Sequence, residues 1–213
     1  MKPVVAIDGP AGSGKGTLAR MIASHFSFIY LDTGVLYRTI AFANVSLEKL
    51  KNMSINELLD MRAKLSDNQL RSSENGVRAS NIAKIPEIRE MMTRLQRDFI
   101  DLYSDKGVVL DGRDIGTVIV PDACCKLFIT ADLEERAKRR FVDLNDQNTS
   151  FEEVFNDMKL RDDQDKSREI APLTCNETYI MVDTTGQSVQ ESFKICREEV
   201  MKAFVDSGYG SFV

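Results

Sequence analysis

The chain has 213 residues, 43% hydrophobic and 29% charged, an ordinary globular balance that suits one domain with an ample core. Its formal net charge of -5 argues against a nucleic-acid partner, so any basic residues that matter must converge locally. Four cysteines without a C-x-x-C pair and a single histidine, His25, exclude a Cys/His zinc site, and no apolar run approaches the roughly 20 residues of a membrane helix. The opening residues turn polar too soon for a signal peptide, and a cytoplasmic protein without a membrane partner is expected.

In chain order, Val4 to Ile7 is a continuous apolar run that ends at Asp8-Gly9-Pro10. This predicts a buried parallel strand feeding a glycine-rich turn. A helix follows, with Leu18, Met21, Ile22 and Phe26 on one face. Phe28 to Leu31 reads as a second strand, and a helix runs from about Val35 to Ala43. The polar stretch from about Ser46 to Arg78 lacks β-branched runs and predicts short helices. Pro86 opens a long helix carrying Ile88, Met91, Met92, Leu95 and Phe99 at helical spacing. Val108 to Leu110 and Lys126 to Ile129 predict the third and fourth strands. Charged helices are expected over Asp132 to about Asp143 and Ser150 to about Asp165, joined by the polar turn Asn145 to Ser150. Tyr179 to Val182 predicts a fifth strand, and Val189 to Phe204 a last helix. Strands alternating with helices predict an α/β fold, a parallel five-stranded sheet flanked by helices. Ligands of such sheets sit beyond the carboxyl ends of the strands.

The strongest chemical signal is Gly9-Pro10-Ala11-Gly12-Ser13-Gly14-Lys15-Gly16-Thr17, which reads G-x-x-x-x-G-K. Glycines let consecutive N–H groups point into one concavity, and the helix that follows adds its positive end. Lys15 supplies a point charge for the β- and γ-phosphates of a nucleotide. A plain glycine-rich turn is the bland alternative, but the motif follows a strand and opens a helix, the context that a phosphate cradle requires. The hydroxyl comes one place late, at Thr17, so Mg²⁺ is expected to be held mainly through water and phosphates rather than by direct ligation. Asp111, at the end of the third strand, could hold such a water or simply cap a turn.

The ending Gly14-Lys15-Gly16-Thr17 resembles the nucleoside-monophosphate kinases. Three further stretches resemble the bacterial-type cytidylate kinases: Leu31 to Arg38, Leu110-Asp111-Gly112-Arg113-Asp114-Ile115-Gly116-Thr117-Val118, and Arg161 to Arg168 followed by Ala171-Pro172-Leu173. The likeness spans most of the chain. It implies a P-loop kinase of one domain over 1–213, with a short monophosphate-binding arm at about 39–88 and a lid at about 143–168. It implies Arg38, Arg113 and Arg168 as ligands of the monophosphate, and Thr33, Ser80, Arg89 and Asp114 as readers of cytosine. Arg161 and Asp165 are implied as lid residues near sugar and phosphates, Tyr37 as packing beside the pyrimidine, and Arg136 and Arg140 as contacts of ATP. Lys15, Arg113, Arg161 and Arg168 carry catalysis in this reading.

Residue chemistry agrees with those roles. Two anionic nucleotides brought end to end repel, and arginine offers a fixed fork of donors with a permanent charge. Arg113, at a strand-end turn, is unlike a surface ion-pair residue; for Arg38, on a helix, both readings stay open. The helix from Asp132 carries i,i+4 pairs Asp132/Arg136, Glu134/Lys138 and Glu135/Arg139, which predicts a largely solvated face. The arm shows no strand pattern between Leu50 and Gln69, and the lid has Gln164 and Lys166 where relatives often carry arginines. The expected activity is transfer of phosphoryl from MgATP to CMP or dCMP by a monomer. The alternatives are a kinase of UMP or AMP, and a P-loop switch that binds nucleotide without transferring it.

Overall fold

A computed structural model describes residues 3–103, 105–144 and 149–212. The chain divides into two compact units, Met1–Leu31 with Asp105–Val213, and Asp32–Ser104.

The first unit holds the sheet. Its strands are β1 (Val4–Asp8), β2 (Ile29–Asp32), β3 (Val108–Gly112), β4 (Cys125–Thr130) and β5 (Ile180–Asp183), in the order β2-β3-β1-β4-β5. β1 lies at the centre, parallel to β3 and β4, and β4 is parallel to β5. β1 is buried along its whole length, which explains its unbroken apolar run. The helices of this unit are α1 (Lys15–Phe26), α8 (Leu133–Leu144), α9 (Phe151–Ser167) and α10 (Val189–Asp206), and α2 to α7 belong to the other unit. α1 and α10 close one core, in which Leu18, Ile22 and Phe26 meet Val5, Ile7, Leu127, Val200 and Phe204. α8 and α9 pack on each other around Ala137, Val154 and Met158.

Ser150 and Ser188 start α9 and α10 with capping boxes closed by Glu153 and Glu191. Between β3 and β4 the segment Ile115–Ile119 winds into a π-helical turn, which its β-branched composition did not suggest.

The second unit is helical. It contains α2 (Thr33–Phe42), α3 (Leu47–Asn52), α4 (Ile55–Ala63), α5 (Asp67–Arg71), α6 (Ser73–Ile82) and α7 (Pro86–Leu102). Four short helices thus fill the stretch that the sequence read as strand-free. Leu36, Leu50, Leu58, Leu70, Met92 and Leu95 are buried here. α2 packs on α6, and α3 and α4 pack on α7. Arg94 of α7 donates to the carbonyls of Leu50, Lys51 and Met53, covering the end of α3.

Candidate active site

β1 delivers the chain to the cradle. A Cβ on Gly9 would lie 2.0 Å from the Ile129 carbonyl oxygen, so only glycine lets the loop leave the sheet alongside β4. Gly14, at φ 84°, turns the loop into α1, and its carbonyl accepts from the amides of Thr17 and Leu18 at 3.0 and 3.1 Å. No side chain caps α1, and an uncapped helix start of this kind suits an anion. Ser13 is fully buried, and its Oγ has no hydrogen-bond partner among the described residues.

Two side chains brace the loop from behind. Arg136 of α8 donates to the Ala11 carbonyl at 3.1 Å, to the Ala131 carbonyl at 2.7 Å and to Asp162 of α9 at 2.6 Å. Thr184, just after β5, reaches the Ser13 carbonyl through its hydroxyl at 3.1 Å. Arg139 holds Thr184 in turn, donating to its hydroxyl and carbonyl oxygens. These bonds hold the Ala11 and Ser13 carbonyls of the loop in place. Arg136 therefore corrects the solvated i,i+4 pairing with Asp132: it is buried, and its carboxylate partner lies 26 residues on. Glu134/Lys138 and Glu135/Arg139 do form the expected surface pairs.

Lys15 extends from the first turn of α1, and its Nζ lies 3.8 Å from Asp111 Oδ1. The other carboxylate oxygen of Asp111 accepts from the Tyr30 hydroxyl at 2.7 Å. Tyr30 orients the carboxylate that holds the lysine, a role the sequence reading missed. Thr17 is exposed on α1.

Beyond β3 the arginines gather. Arg113 Nε donates to Asp165 Oδ2 at 2.8 Å, and Arg168 Nη1 lies 3.8 Å from Asp165 Oδ1. Arg168 also donates to the Ala171 carbonyl at 3.0 Å. Burial works against the Arg113 charge, but Asp165 more than offsets it and leaves the pKa above the ordinary value. Burial likewise works against the Asp165 carboxylate, yet Arg113 and Arg161 hold its pKa below the usual carboxylate range. Arg161 fares differently. Burial and then the like charges of Arg113 and Arg140 push its pKa down to about 10, despite Asp165 and Asp162, and its Nε has no partner among the described residues. Arg161 is thus the arginine of this group whose charge burial and its cationic neighbours oppose most, and an incoming anion would relieve it. Asp114 is buried directly after Arg113 and leads into the π-helical turn.

The second unit arranges the remaining candidates. Asp32 caps α2 by accepting from the Val35 amide at 3.1 Å and pairs with Arg71 at 3.0 Å. Thr33 is buried at the first position of that helix, with Tyr37 and Arg38 one turn on and half-buried. Arg38 Nη1 donates to the Leu70 carbonyl at 2.9 Å. Its guanidinium lies against Gly76, where a Cβ would come within 3.2 Å of it. Arg89 is buried on α7 and donates to the Ala83 carbonyl at 3.1 Å, while Ser80 stands half-buried on α6. Arg71 was not singled out by the sequence, because an exposed arginine on a short helix carries no signal of its own.

Comparison with known proteins points the same way. A family model described as cytidylate kinase matches residues 5–203. The chain belongs to the cytidylate kinase family. A cytidylate kinase from Cereibacter sphaeroides is 46% identical over 191 residues, covering 89% of this chain and 90% of that protein. One from Bartonella bacilliformis is 42% identical over 197 residues, again covering 89% and 90%. A solved structure of an uncharacterised protein from Eubacterium ventriosum shares the fold, with a TM-score of 0.59 at 16% identity, over 95% of this chain and 99% of that one. Family membership makes the glycine loop after β1 a kinase P-loop. No helix among the described residues is long and apolar enough to cross a membrane.

Proposed function

We propose that the chain transfers the γ-phosphoryl group of ATP to CMP or dCMP, giving ADP and CDP or dCDP. The observation that carries this reading is the gathering of Arg113, Arg161 and Arg168 about Asp165, with the charge of Arg161 opposed by burial and by its cationic neighbours. An acceptor phosphate and a transferring phosphoryl group supply the negative charge that relieves it.

The acceptor oxygen is already anionic, so no general base is required and catalysis is positioning plus charge stabilisation. Gly9 to Thr17 cradle the donor phosphates. Lys15 meets the β- and γ-phosphates and is already in place when charge develops on the γ-phosphoryl group. Arg113, Arg161 and Arg168 neutralise the repulsion between donor and acceptor. Arg136 acts chiefly by holding the P-loop, and Arg140 adds positive charge near Arg161. Mg²⁺ bound with ATP would screen the phosphate charge. Asp111, whose carboxylate is buried beside Lys15, and the exposed Thr17 fit the holding of its waters. Within Asp32–Ser104 the acceptor ligands are Thr33, Tyr37, Arg38, Ser80 and Arg89. Within the sheet-bearing unit they are Arg113, Asp114, Asp165 and Arg168. The protein acts in the cytoplasm as a monomer.

The deciding experiment is ADP release with a panel of monophosphates. Transfer to CMP and dCMP well above UMP and AMP is expected. Equal or greater transfer to UMP or AMP would reassign the acceptor, and slow hydrolysis indifferent to every monophosphate would make the protein a switch. Asp114 supplies the base discrimination. Its carboxylate accepts from the N4 amino group of cytosine and faces the O4 carbonyl of uracil repulsively. Asp114→Ala should therefore lower kcat/KM for CMP far more than for UMP, shrinking the ratio by about 1–3 kcal/mol. An equal fall for both would leave Asp114 as an orienting residue only.

Residues from about 143 to 168 act as the lid; 145–148 of that turn lie outside the described residues. Closure excludes water that would otherwise hydrolyse ATP. Trypsin cleavage after Lys159 and Lys166 of α9, mapped by mass spectrometry, should slow markedly when both nucleotides are present. Cleavage at one rate in both states would argue against a lid.

A further inference from the structure

Asp8 is a fully buried carboxylate at the end of an otherwise apolar strand. Its Oδ1 accepts from the Ile115 amide at 2.9 Å. Its Oδ2 accepts from the Gly116 amide at 2.9 Å and from the Tyr179 hydroxyl at 2.6 Å. Three donors from two distant segments thus converge on one carboxylate. The two amides open the π-helical turn, where a negative charge is favourable, and they immediately follow Arg113 and Asp114. In the sheet Asp8 lies opposite Gly112, and Gly9 of the P-loop comes next in the chain. The fit at Tyr179 is close. A Cβ on Gly116 would sit 2.7 Å from the Tyr179 hydroxyl and 3.0 Å from the ring carbon that bears it.

We propose that Asp8, clamped by Tyr179, is the positioning residue of the Arg113–Asp114 loop, so that this buried pair sets turnover and the choice of acceptor base. The inference rests on the assignment of Arg113 and Asp114 to the acceptor. A carboxylate in this place is costly to bury, and a core strand needs none. What the cost secures is a loop whose two reading residues are indexed to the same strand end as the P-loop. Burial raises the Asp8 pKa to about 6; the donors from Gly116, Tyr179 and Ile115 limit that rise, and the like charge of Asp114 adds to it. The titratable groups facing it are Tyr179 from the segment before β5 and Asp114 from the loop. Lys126 of β4 runs its stem past Gly116 and places its ammonium 3.4 Å from Thr178. Asp111 of β3 stands opposite Ile7.

Tyr179→Phe keeps the ring and removes one donor. The expected result is a fall of roughly 5–10-fold in kcat/KM for CMP, a smaller fall for UMP, and an unchanged KM for ATP. The acid limb of the CMP rate profile should move to higher pH, because a donor that favoured the ionised carboxylate is gone. The substrate phosphate titrates alike in both proteins, so only their difference is read. Amide hydrogen exchange at Ile115 and Gly116 should accelerate. Gly116→Ala, which displaces the tyrosine, should cost much less in the Tyr179→Phe background than in the wild type. An unmoved acid limb with equal losses for CMP and UMP would overturn the proposal. So would unchanged exchange at both amides. If the wild-type protein fails to prefer CMP, the acceptor reading fails instead, and accelerated exchange in Tyr179→Phe would still support the strap between Asp8 and the loop.

Discussion

Replacing Lys15 by alanine should reduce kcat on the order of 10³-fold while the protein stays folded. Lys15 is a short reach from the P-loop at the first turn of α1, with only 13% of its side chain exposed. Its ammonium stands beside Asp111, which also accepts from Tyr30. The lysine is therefore held extended before nucleotide arrives, and little reorganisation is needed when charge builds on the γ-phosphoryl oxygens. Truncation leaves Asp111 near the loop without this cation, so ATP binding should weaken as well. The loss should nonetheless fall more heavily on kcat than on the ATP dissociation constant, since the charge on the transferring group is placed best in the transition state. The core beneath α1, built from Leu18, Ile22 and Phe26, does not involve Lys15, so circular dichroism and the cooperativity of melting should be preserved. A folded variant with near-normal turnover would remove Lys15 from the chemistry.

How much of this was legible in the sequence depended on how local each feature is. β1, the P-loop and α1 were readable because a strand period, a glycine spacing and a helix period follow one another within 26 residues. The helical second unit was legible for the opposite reason, the absence of β-branched runs over α3 to α6. Arg113 and Asp165 were each named, but their ion pair spans 52 residues, and only folding brings them together. Tyr30 with Asp111 and Tyr179 with Asp8 lie 81 and 171 residues apart, and an isolated tyrosine in an apolar strand reads simply as core. Arg136 was misread because spacing offers it Asp132, whereas burial selects Asp162 and the Ala11 carbonyl. The π-helical turn was invisible for a related reason. Ile115, Thr117, Val118 and Ile119 favour extended backbone, and the carboxylate that receives the first two amides of the turn comes from β1.

Exchanging Arg161 for methionine should make the nucleotide-free protein more stable and much less active. Its Nε is buried without a partner among the described residues, and burial with the Arg113 and Arg140 charges lowers its pKa to about 10. The sign follows from linkage. A folded pKa below the unfolded value means the native state holds this proton less tightly, so the charge opposes folding at every pH below both values. The penalty disappears only as pH rises beyond about 10 toward the ordinary arginine value, so the effect of the substitution should be flat between pH 6 and pH 8. The lowered pKa makes this buried charge a cost to the native state of about 3 kcal/mol as an upper figure. Methionine fills similar volume without the charge, but Asp165 loses one of its cations and keeps Arg113 at 2.8 Å and Arg168 at 3.8 Å. A net gain of about 1 kcal/mol is expected, raising Tm by about 2–4 °C. Activity should move the other way, with kcat/KM for CMP falling about 10²–10³-fold as one of the gathered cations is removed. The rise in Tm that ATP and CMP together confer on the wild-type protein should shrink in the variant, because binding stabilises only what it can still engage. Arg161→Lys separates charge from geometry: it keeps the cation and loses the fork, and should recover only part of the rate. Scanning calorimetry with and without nucleotides, beside steady-state kinetics, checks both halves. A variant that melts lower than wild type in the absence of nucleotide, or that keeps its rate, would show that Arg161 is structural rather than held in readiness for phosphate.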